Sequence, residues 1–182
     1  DSLHPYDAPL DVIGTIGTSW SFACGVPAIR NQLKNSVPSS TKVCDMATSV
    51  FTAARCLNMK NVNLLAAYKS DITNAKLVPM LESNGLSIVD SHCLGFDRDI
   101  DVWKVSRCDI TLAVKELWED SPDADGMIIC CSVLRVLSAG FIDELEAMIG
   151  KPIVTSMQAF MWDMLNTAGE TSTISGTNFD EH

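Results

Sequence analysis

Short apolar runs alternate with longer segments of helical apolar spacing along most of the chain. Residues 12–16, 42–46, 62–66, 86–91, 127–130 and 152–155 have the length and composition of buried strands. Helical periodicity, with proline in a first turn and glycine after a last turn, predicts helices at residues 27–35, 48–57, 71–84, 109–119, 140–149 and 157–166. The polar residues 96–101 predict a loop. Strands that alternate with helices require crossover connections, so the pattern predicts an α/β fold with a largely parallel sheet.

Two distant segments of the chain share one pattern. Residues 11–19 and 125–132 each have an acidic turn, a short apolar strand, and then small hydroxyl or thiol residues. In an open α/β sheet this position is the carboxyl edge of a strand, where ligands bind. The repeat predicts two pseudo-symmetric, flavodoxin-like (Rossmann-like) halves that face each other across a cleft. The two copies differ where the first has Gly17 and the second has Cys131.

Composition and charge exclude several classes of protein. The chain has 182 residues, of which 47% are hydrophobic and 20% charged, as in a globular protein. No apolar run approaches the roughly 20 residues that a membrane helix needs, and the first residues do not resemble a signal peptide. The net charge of -10 and the scattered basic residues argue against nucleic acid as a partner.

The cysteines and histidines indicate neither disulfides nor a metal site. The seven cysteines are an odd number, and most of them fall within apolar patterns, which is typical of a reducing cytoplasm. The three histidines lack the spacing of metal ligands. The aspartates at residues 97–101 lack the glycine and the terminal glutamate of a calcium loop, and we expect them to face solvent. A cytoplasmic protein without metal or cofactor is therefore predicted, as a monomer or a small homo-oligomer.

Four segments carry a resemblance to a known family: residues 16–22, residues 64–68 with Asn74, residues 121–126 with Cys131, and residues 150–156. They resemble the aspartate/glutamate racemase superfamily and, within it, the arylmalonate decarboxylase and maleate isomerase branch, over residues 10–168. The resemblance implies a first lobe of residues 1–58 plus 157–182, a second lobe of residues 59–156, and an active site in the cleft between them. The family normally begins with a further strand, loop and helix, to which nothing in the printed residues corresponds, so either these elements precede the printed residues or the cleft is built differently.

The resemblance also distinguishes isomerisation or racemisation from decarboxylation as the reaction to expect. Racemases and maleate isomerases of this family use two cysteines, one from each half, whereas this chain is similar to arylmalonate decarboxylase in having Gly-Thr-Ser in the first half and a lone cysteine in the second. Gly17 thus stands at the position of the missing second cysteine. This implies a cofactor-independent decarboxylase of a malonate-type dicarboxylate. Residues 131–135 and 156–159 look more like the isomerase motifs, so a maleate isomerase or racemase is one alternative, and an inactive protein that binds a small carboxylate is another.

Decarboxylation of a malonate assigns a role to each candidate residue. The electron pair left by CO2 is held as an enediolate, which preorganised donors stabilise. The predicted pocket for the retained carboxylate consists of Thr18, Ser19, Tyr68 and the backbone amides of Ser132 and Val133. The departing carboxylate needs an apolar wall, for which the candidates are Trp20, Ile100 and Trp103.

The proton that completes the reaction is assigned to Cys131. A cysteine thiol with an ordinary pKa near 8.5 is protonated at neutral pH and can act as a general acid. Because no second thiol faces it, protonation would occur on one face of the enediolate. Cys130 lies one position earlier on the same strand, so we expect its side chain to point the other way, into the core.

Overall fold

Two parallel sheets form the framework of the protein in the computed structural model, which describes residues 10–17 and 25–170. The strands are β1 (Val12–Thr15), β2 (Lys42–Asp45), β3 (Asn61–Tyr68), β4 (Ser87–Phe96), β5 (Gly126–Cys130) and β6 (Ile153–Thr155). Strands β1 and β2 pair with each other, and the other four form a sheet in the order β4-β3-β5-β6. Every one of these pairings is parallel, which confirms the predicted α/β class.

Helices connect the strands as crossovers. They are α1 (Val26–Ser36), α2 (Met46–Cys56), α3 (Ser70–Ile72), α4 (Val78–Ser83), α5 (Asp99–Val102), α6 (Arg107–Asp120), α7 (Phe141–Ile149) and α8 (Ser156–Ala168), and a π-helical turn (Thr73–Leu77) joins α3 to α4. Local sequence accounts for several of their ends. Ser106 and Asp109 form a capping box at the start of α6, and Gly150 ends α7 in the left-handed conformation.

The four-stranded sheet is buried on both faces by two separate apolar clusters. Because side chains alternate along a strand, Leu65 and Ile129 point to one face, where the cluster includes residues of α6 and α7. Leu64 and Ile128 point to the other face, where the cluster includes residues of α2 and α4. Burial on both sides explains the continuous apolar run of β5 and of residues 64–67 in β3.

Helices α2 and α8 tie the two sheets together. Helix α2 comes directly after β2 in the chain, but its Val50 and Phe51 belong to the apolar cluster on the four-stranded sheet. Helix α8 comes directly after β6 of the four-stranded sheet in the chain, yet its Phe160 packs with Cys44 of β2. The two helices also contact each other. Each sheet is therefore covered by a helix that comes after the other sheet in the chain, and α8 contacts both β1 and β5. The lobe boundaries given above stay a prediction.

The loop predicted at residues 96–101 is wrong in part. Strand β4 continues to Phe96, which pairs with Tyr68 at the end of β3, and residues 99–102 form the single turn of α5. The reason is that β3 offers backbone partners along its full length. In addition, Val102 is only 1% exposed, so its apolar side chain anchors the turn in the core.

Gly126 begins β5 at a point where the backbone of a neighbouring strand passes close. A Cβ there would lie 2.5 Å from the carbonyl oxygen of Pro152, which already accepts a hydrogen bond from Met127 N at 3.0 Å. Relief of the clash would disturb that bond. We therefore expect Gly126→Ala to lower the free energy of unfolding by about 1–3 kcal/mol in urea titrations. The control is Gly85→Ala, where no atom lies within 4 Å of the added Cβ and the φ of +92° is the sole source of strain. A Gly126→Ala protein as stable as the parent would contradict the clash.

Candidate active site

Cys131 and Tyr68 meet at the carboxyl edge of the four-stranded sheet. Strands β3 and β5 are neighbours, and Ala66 pairs with Cys130. The carboxyl ends of parallel strands lie at the same edge, so the residues that follow this pair come together. Cys131 Sγ is 3.7 Å from the Tyr68 hydroxyl, within hydrogen-bond reach for sulfur. Open α/β sheets bind ligands at this edge.

The thiol of Cys131 is enclosed and protonated near neutral pH. Cys131 is 3% exposed, and the Val133 N–H donates a hydrogen bond to its Sγ at 3.4 Å. Burial raises the pKa of the Cys131 thiol, while the Val133 N–H and the Tyr68 hydroxyl oppose that rise without cancelling it. A protonated thiol that nonetheless has donors aimed at it can release its proton, because those donors would stabilise the thiolate.

Cys130 differs from its neighbour in orientation and surroundings. Its side chain belongs to the cluster beneath α2, on the face of the sheet opposite Cys131. Burial raises the pKa of the Cys130 thiol to about 12. The alternation expected of a strand therefore separates a core cysteine from one at the sheet edge.

Tyr68 links Cys131 to a carboxylate. The Tyr68 hydroxyl donates a hydrogen bond to Asp99 Oδ1, at the start of α5. Burial raises the pKa of the Tyr68 phenol, and the hydrogen bond to Asp99 and the nearby Cys131 raise it further. The phenol thus stays neutral, with its proton directed to Asp99 and its oxygen available to the thiol. The three side chains form a continuous chain of hydrogen bonds from a buried sulfur to an exposed carboxylate.

Asp99 is the member of this site that the sequence did not indicate. The aspartates at residues 97–101 were expected to face solvent, and the contact with Tyr68 depends on two structural facts. Strand β4 pairs with β3 up to Tyr68, and α5 follows three residues later. A strand predicted to end at residue 91 leaves residue 99 far from the site. Leu94 and Phe96, two positions apart and packed against the same apolar cluster, are the signal that would have extended it.

The residues after Cys131 lie beside it on the loop that leaves β5. Ser132 and Val133 are half-buried there. Val133 N–H is directed at the thiol, so in this structure it serves the sulfur and not a carboxylate. That these two amides bind the retained carboxylate of a substrate stays a prediction.

The predicted apolar wall is open in the part that the structure describes. Ile100 is 63% exposed and Trp103 is 58% exposed. The guanidinium of Arg135 lies 5.3 Å from the centre of the Trp103 ring, within the range of a cation–π contact. Trp20 lies outside the described residues. A role for these three side chains as a wall against the departing carboxylate stays a prediction.

Gly17 has a backbone conformation that suits glycine. It lies two residues after β1, and its φ is +143°, which side chains of L-residues rarely adopt. Thr18 and Ser19, the predicted hydroxyl donors of the first half, lie outside the described residues. That Gly17 stands where a second cysteine would face Cys131 stays a prediction.

Across residues 10–17 and 25–170, no group of three or more His, Cys, Asp or Glu side chains is arranged to hold a metal ion. In the same part of the chain, no helix has the length and apolar character needed to cross a membrane. Cytoplasmic location stays a prediction.

Comparison with known proteins identifies the family. A family model described as arylmalonate decarboxylase matches residues 6–178. The arylmalonate decarboxylase of Bordetella bronchiseptica is 30% identical over 163 residues, which are 87% of this chain and 65% of that protein. The chain thus spans slightly less than two thirds of the length of this relative.

Solved structures show the same fold. A liganded arylmalonate decarboxylase mutant, with one glycine-to-cysteine and one cysteine-to-serine substitution, superposes with a TM-score of 0.84 at 26% identity, covering 94% of this chain and 74% of that one. The maleate cis-trans isomerase of Nocardia farcinica bound to TRIS has a TM-score of 0.83 at 18% identity, covering 93% of this chain and 70% of that one, a likeness of fold alone. The resemblance inferred from the sequence is confirmed, and the chain belongs to the arylmalonate decarboxylase family.

Proposed function

We propose that the protein is a cofactor-independent carboxy-lyase that decarboxylates a malonate-type dicarboxylate, with Cys131 as the proton donor. The observation that carries this proposal is a buried, protonated thiol at the carboxyl edge of β5, in a chain that has Gly17 where a second cysteine would stand. Membership of the arylmalonate decarboxylase family supports the reaction class.

The proposed reaction has two steps. The bond between the α-carbon and one carboxylate breaks, CO2 leaves, and the electron pair remains as an enediolate. The enediolate would be stabilised by the predicted donors Thr18 and Ser19 and by the Ser132 amide. The S–H bond of Cys131 then breaks as a C–H bond forms at the α-carbon. The backbone N–H groups of Val133 and Leu134 stabilise the thiolate that remains.

A maleate isomerase or racemase is the second candidate. It is favoured by the sequence Cys-Ser-Val-Leu-Arg at residues 131–135, which resembles the isomerase motif. Such a reaction requires a second nucleophile or acid/base group on the other side of the substrate. Gly17 supplies none, and this is why we prefer decarboxylation.

The substrate class can be decided with three compounds. We expect CO2 release from phenylmalonate, and a single enantiomer of 2-phenylpropanoate from 2-methyl-2-phenylmalonate, because only one thiol delivers the proton. Isotopic CO2 release and chiral chromatography measure these two results. Fumarate formed from maleate, or racemised aspartate, would contradict the proposal in favour of the isomerase or racemase. Binding of these anions in calorimetry without turnover would contradict it in favour of a carboxylate-binding protein.

A further inference from the structure

The proposed reaction consumes one proton at every turnover, and its donor is buried. A malonate dianion that loses CO2 becomes a monocarboxylate only after it gains a proton, so Cys131 must be protonated again before the next cycle. Cys131 is 3% exposed, which limits direct access of water to its sulfur. A route from solvent to Sγ is therefore a requirement of the chemistry, provided that the proposed function is correct.

We infer that Asp99 and Tyr68 form this route, with Asp99 accepting a proton from solvent and Tyr68 passing it to the Cys131 thiolate. The geometry that carries the inference is the chain of hydrogen bonds from Sγ to the Tyr68 hydroxyl and from that hydroxyl to Asp99 Oδ1. One end of the chain is buried and the other is exposed, as a relay requires. The inference rests on the proposed function and extends it to the return of the proton.

The proton balance of the relay closes. After Cys131 has given its proton to the α-carbon, hydronium or a buffer acid protonates the Asp99 carboxylate. The Tyr68 O–H bond then breaks, and its proton forms a new S–H bond at Cys131. The protonated Asp99 carboxyl supplies a proton to the Tyr68 oxygen. One proton enters at Asp99, one leaves Tyr68 for sulfur, and both oxygens return to their starting state.

The charged side chains around Asp99 are engaged with other partners. Asp101 is paired with Arg98 at 2.7 Å and with Lys104 at 2.8 Å, and Asp97 is paired with Lys69 at 2.7 Å. The guanidinium of Arg135 lies over the Trp103 ring. Asp99 is thus the carboxylate of this segment that is bonded to the phenol next to Cys131.

The test compares Asp99→Asn with Asp97→Asn, which removes a carboxylate two residues earlier without touching Tyr68. Asparagine still accepts the hydrogen bond of Tyr68 but cannot carry a proton. In weak buffer, we expect Asp99→Asn to release CO2 from phenylmalonate about 10- to 100-fold more slowly than the parent, with a larger solvent deuterium isotope effect on kcat. Imidazolium should restore its rate, since this small acid can protonate the half-buried Tyr68 oxygen in place of Asp99 while Tyr68 passes its own proton to the sulfur. Asp97→Asn should behave like the parent.

Two results of this assay would overturn the relay. One is an Asp99→Asn protein with the parental rate in weak buffer. The other is a slow Asp99→Asn protein that imidazolium does not restore, which would leave Asp99 with a purely structural role. If the parent itself releases no CO2, the proposed function fails.

Alkylation of the resting protein gives a result that does not depend on turnover. The carboxylate of Asp99 contributes to the raised pKa of the Cys131 thiol. Asp99→Asn should therefore lower the pH at which iodoacetamide modifies Cys131, followed by mass spectrometry of its peptide, and Asp97→Asn should leave it unchanged. An identical pH profile in parent and Asp99→Asn would overturn the chain from Asp99 to Cys131, even in a protein that decarboxylates malonates.

Discussion

Cys131→Ser is expected to slow CO2 release from an arylmalonate by at least about 100-fold, the lower end of what a positioned general acid contributes. A serine hydroxyl is a far weaker acid than a thiol, so the enediolate would have no adequate proton donor at neutral pH. The fold should survive, since oxygen replaces sulfur at one position and can still accept the hydrogen bond of the Val133 N–H. Turnover of phenylmalonate, circular dichroism and urea unfolding measure the three quantities.

Cys130→Ser is the matched control, because it makes the same change of atom one residue earlier on the opposite face of the sheet. It places a hydroxyl within an apolar cluster, so stability should fall by about 1–3 kcal/mol. Turnover per folded molecule should stay at the parental level. Parental turnover in Cys131→Ser would show that this thiol is a packing group, and the proposed reaction would then lose its proton donor.

The fold could be predicted from the sequence because its strands and helices differ in period. Strand β5 is apolar at every position and α6 has apolar residues at helical spacing, so local sequence alone distinguishes the two. The family resemblance placed the final helix, α8, with the first lobe, but the packing of α2 against the four-stranded sheet was not predicted. Each helix has an apolar face, and nothing in its own sequence says which of two sheets that face will cover.

The sequence predicted those residues of the candidate site that can be recognised within a single strand and the residues next to it. Cys131 was found from the repeated strand end and from the family resemblance, and Tyr68 from its place after an apolar run. Asp99 was missed because its contact with Tyr68 depends on the pairing of β3 with β4 up to Phe96. Pairing between strands is set by long-range packing, which a pattern within one segment does not encode.

A buried carboxylate at the start of α2 provides the second large effect that we expect. Asp45 is 0% exposed and forms the N-cap of α2, with Oδ1 accepting from Thr48 N at 2.8 Å. Its Oδ2 accepts from Arg30 Nη1 at 2.8 Å, and the same guanidinium donates to the Val43 carbonyl. The side chain thus joins β2, α1 and α2. Its removal leaves orphaned donors in a region that holds the two sheets together.

Asp45→Ala is therefore expected to lower the free energy of unfolding by about 2–4 kcal/mol, which combines the loss of a cap with the loss of a partner for a part-buried guanidinium. The value lies below the full cost of breaking a buried pair because the Arg30 side chain is 33% exposed and water can solvate it.

Thr155→Ala is the matched control. Thr155 is equally buried and caps α8, the pseudo-symmetric helix, through a hydrogen bond to Gln158 N at 3.3 Å, without an ionic partner. It should cost about 1 kcal/mol. Asp45→Asn should fall between the two, since an amide keeps the cap but not the charge. Equal losses in Asp45→Ala and Thr155→Ala would mean that Asp45 acts only as a cap, and that the ion pair with Arg30 does not help to hold α1 against β2.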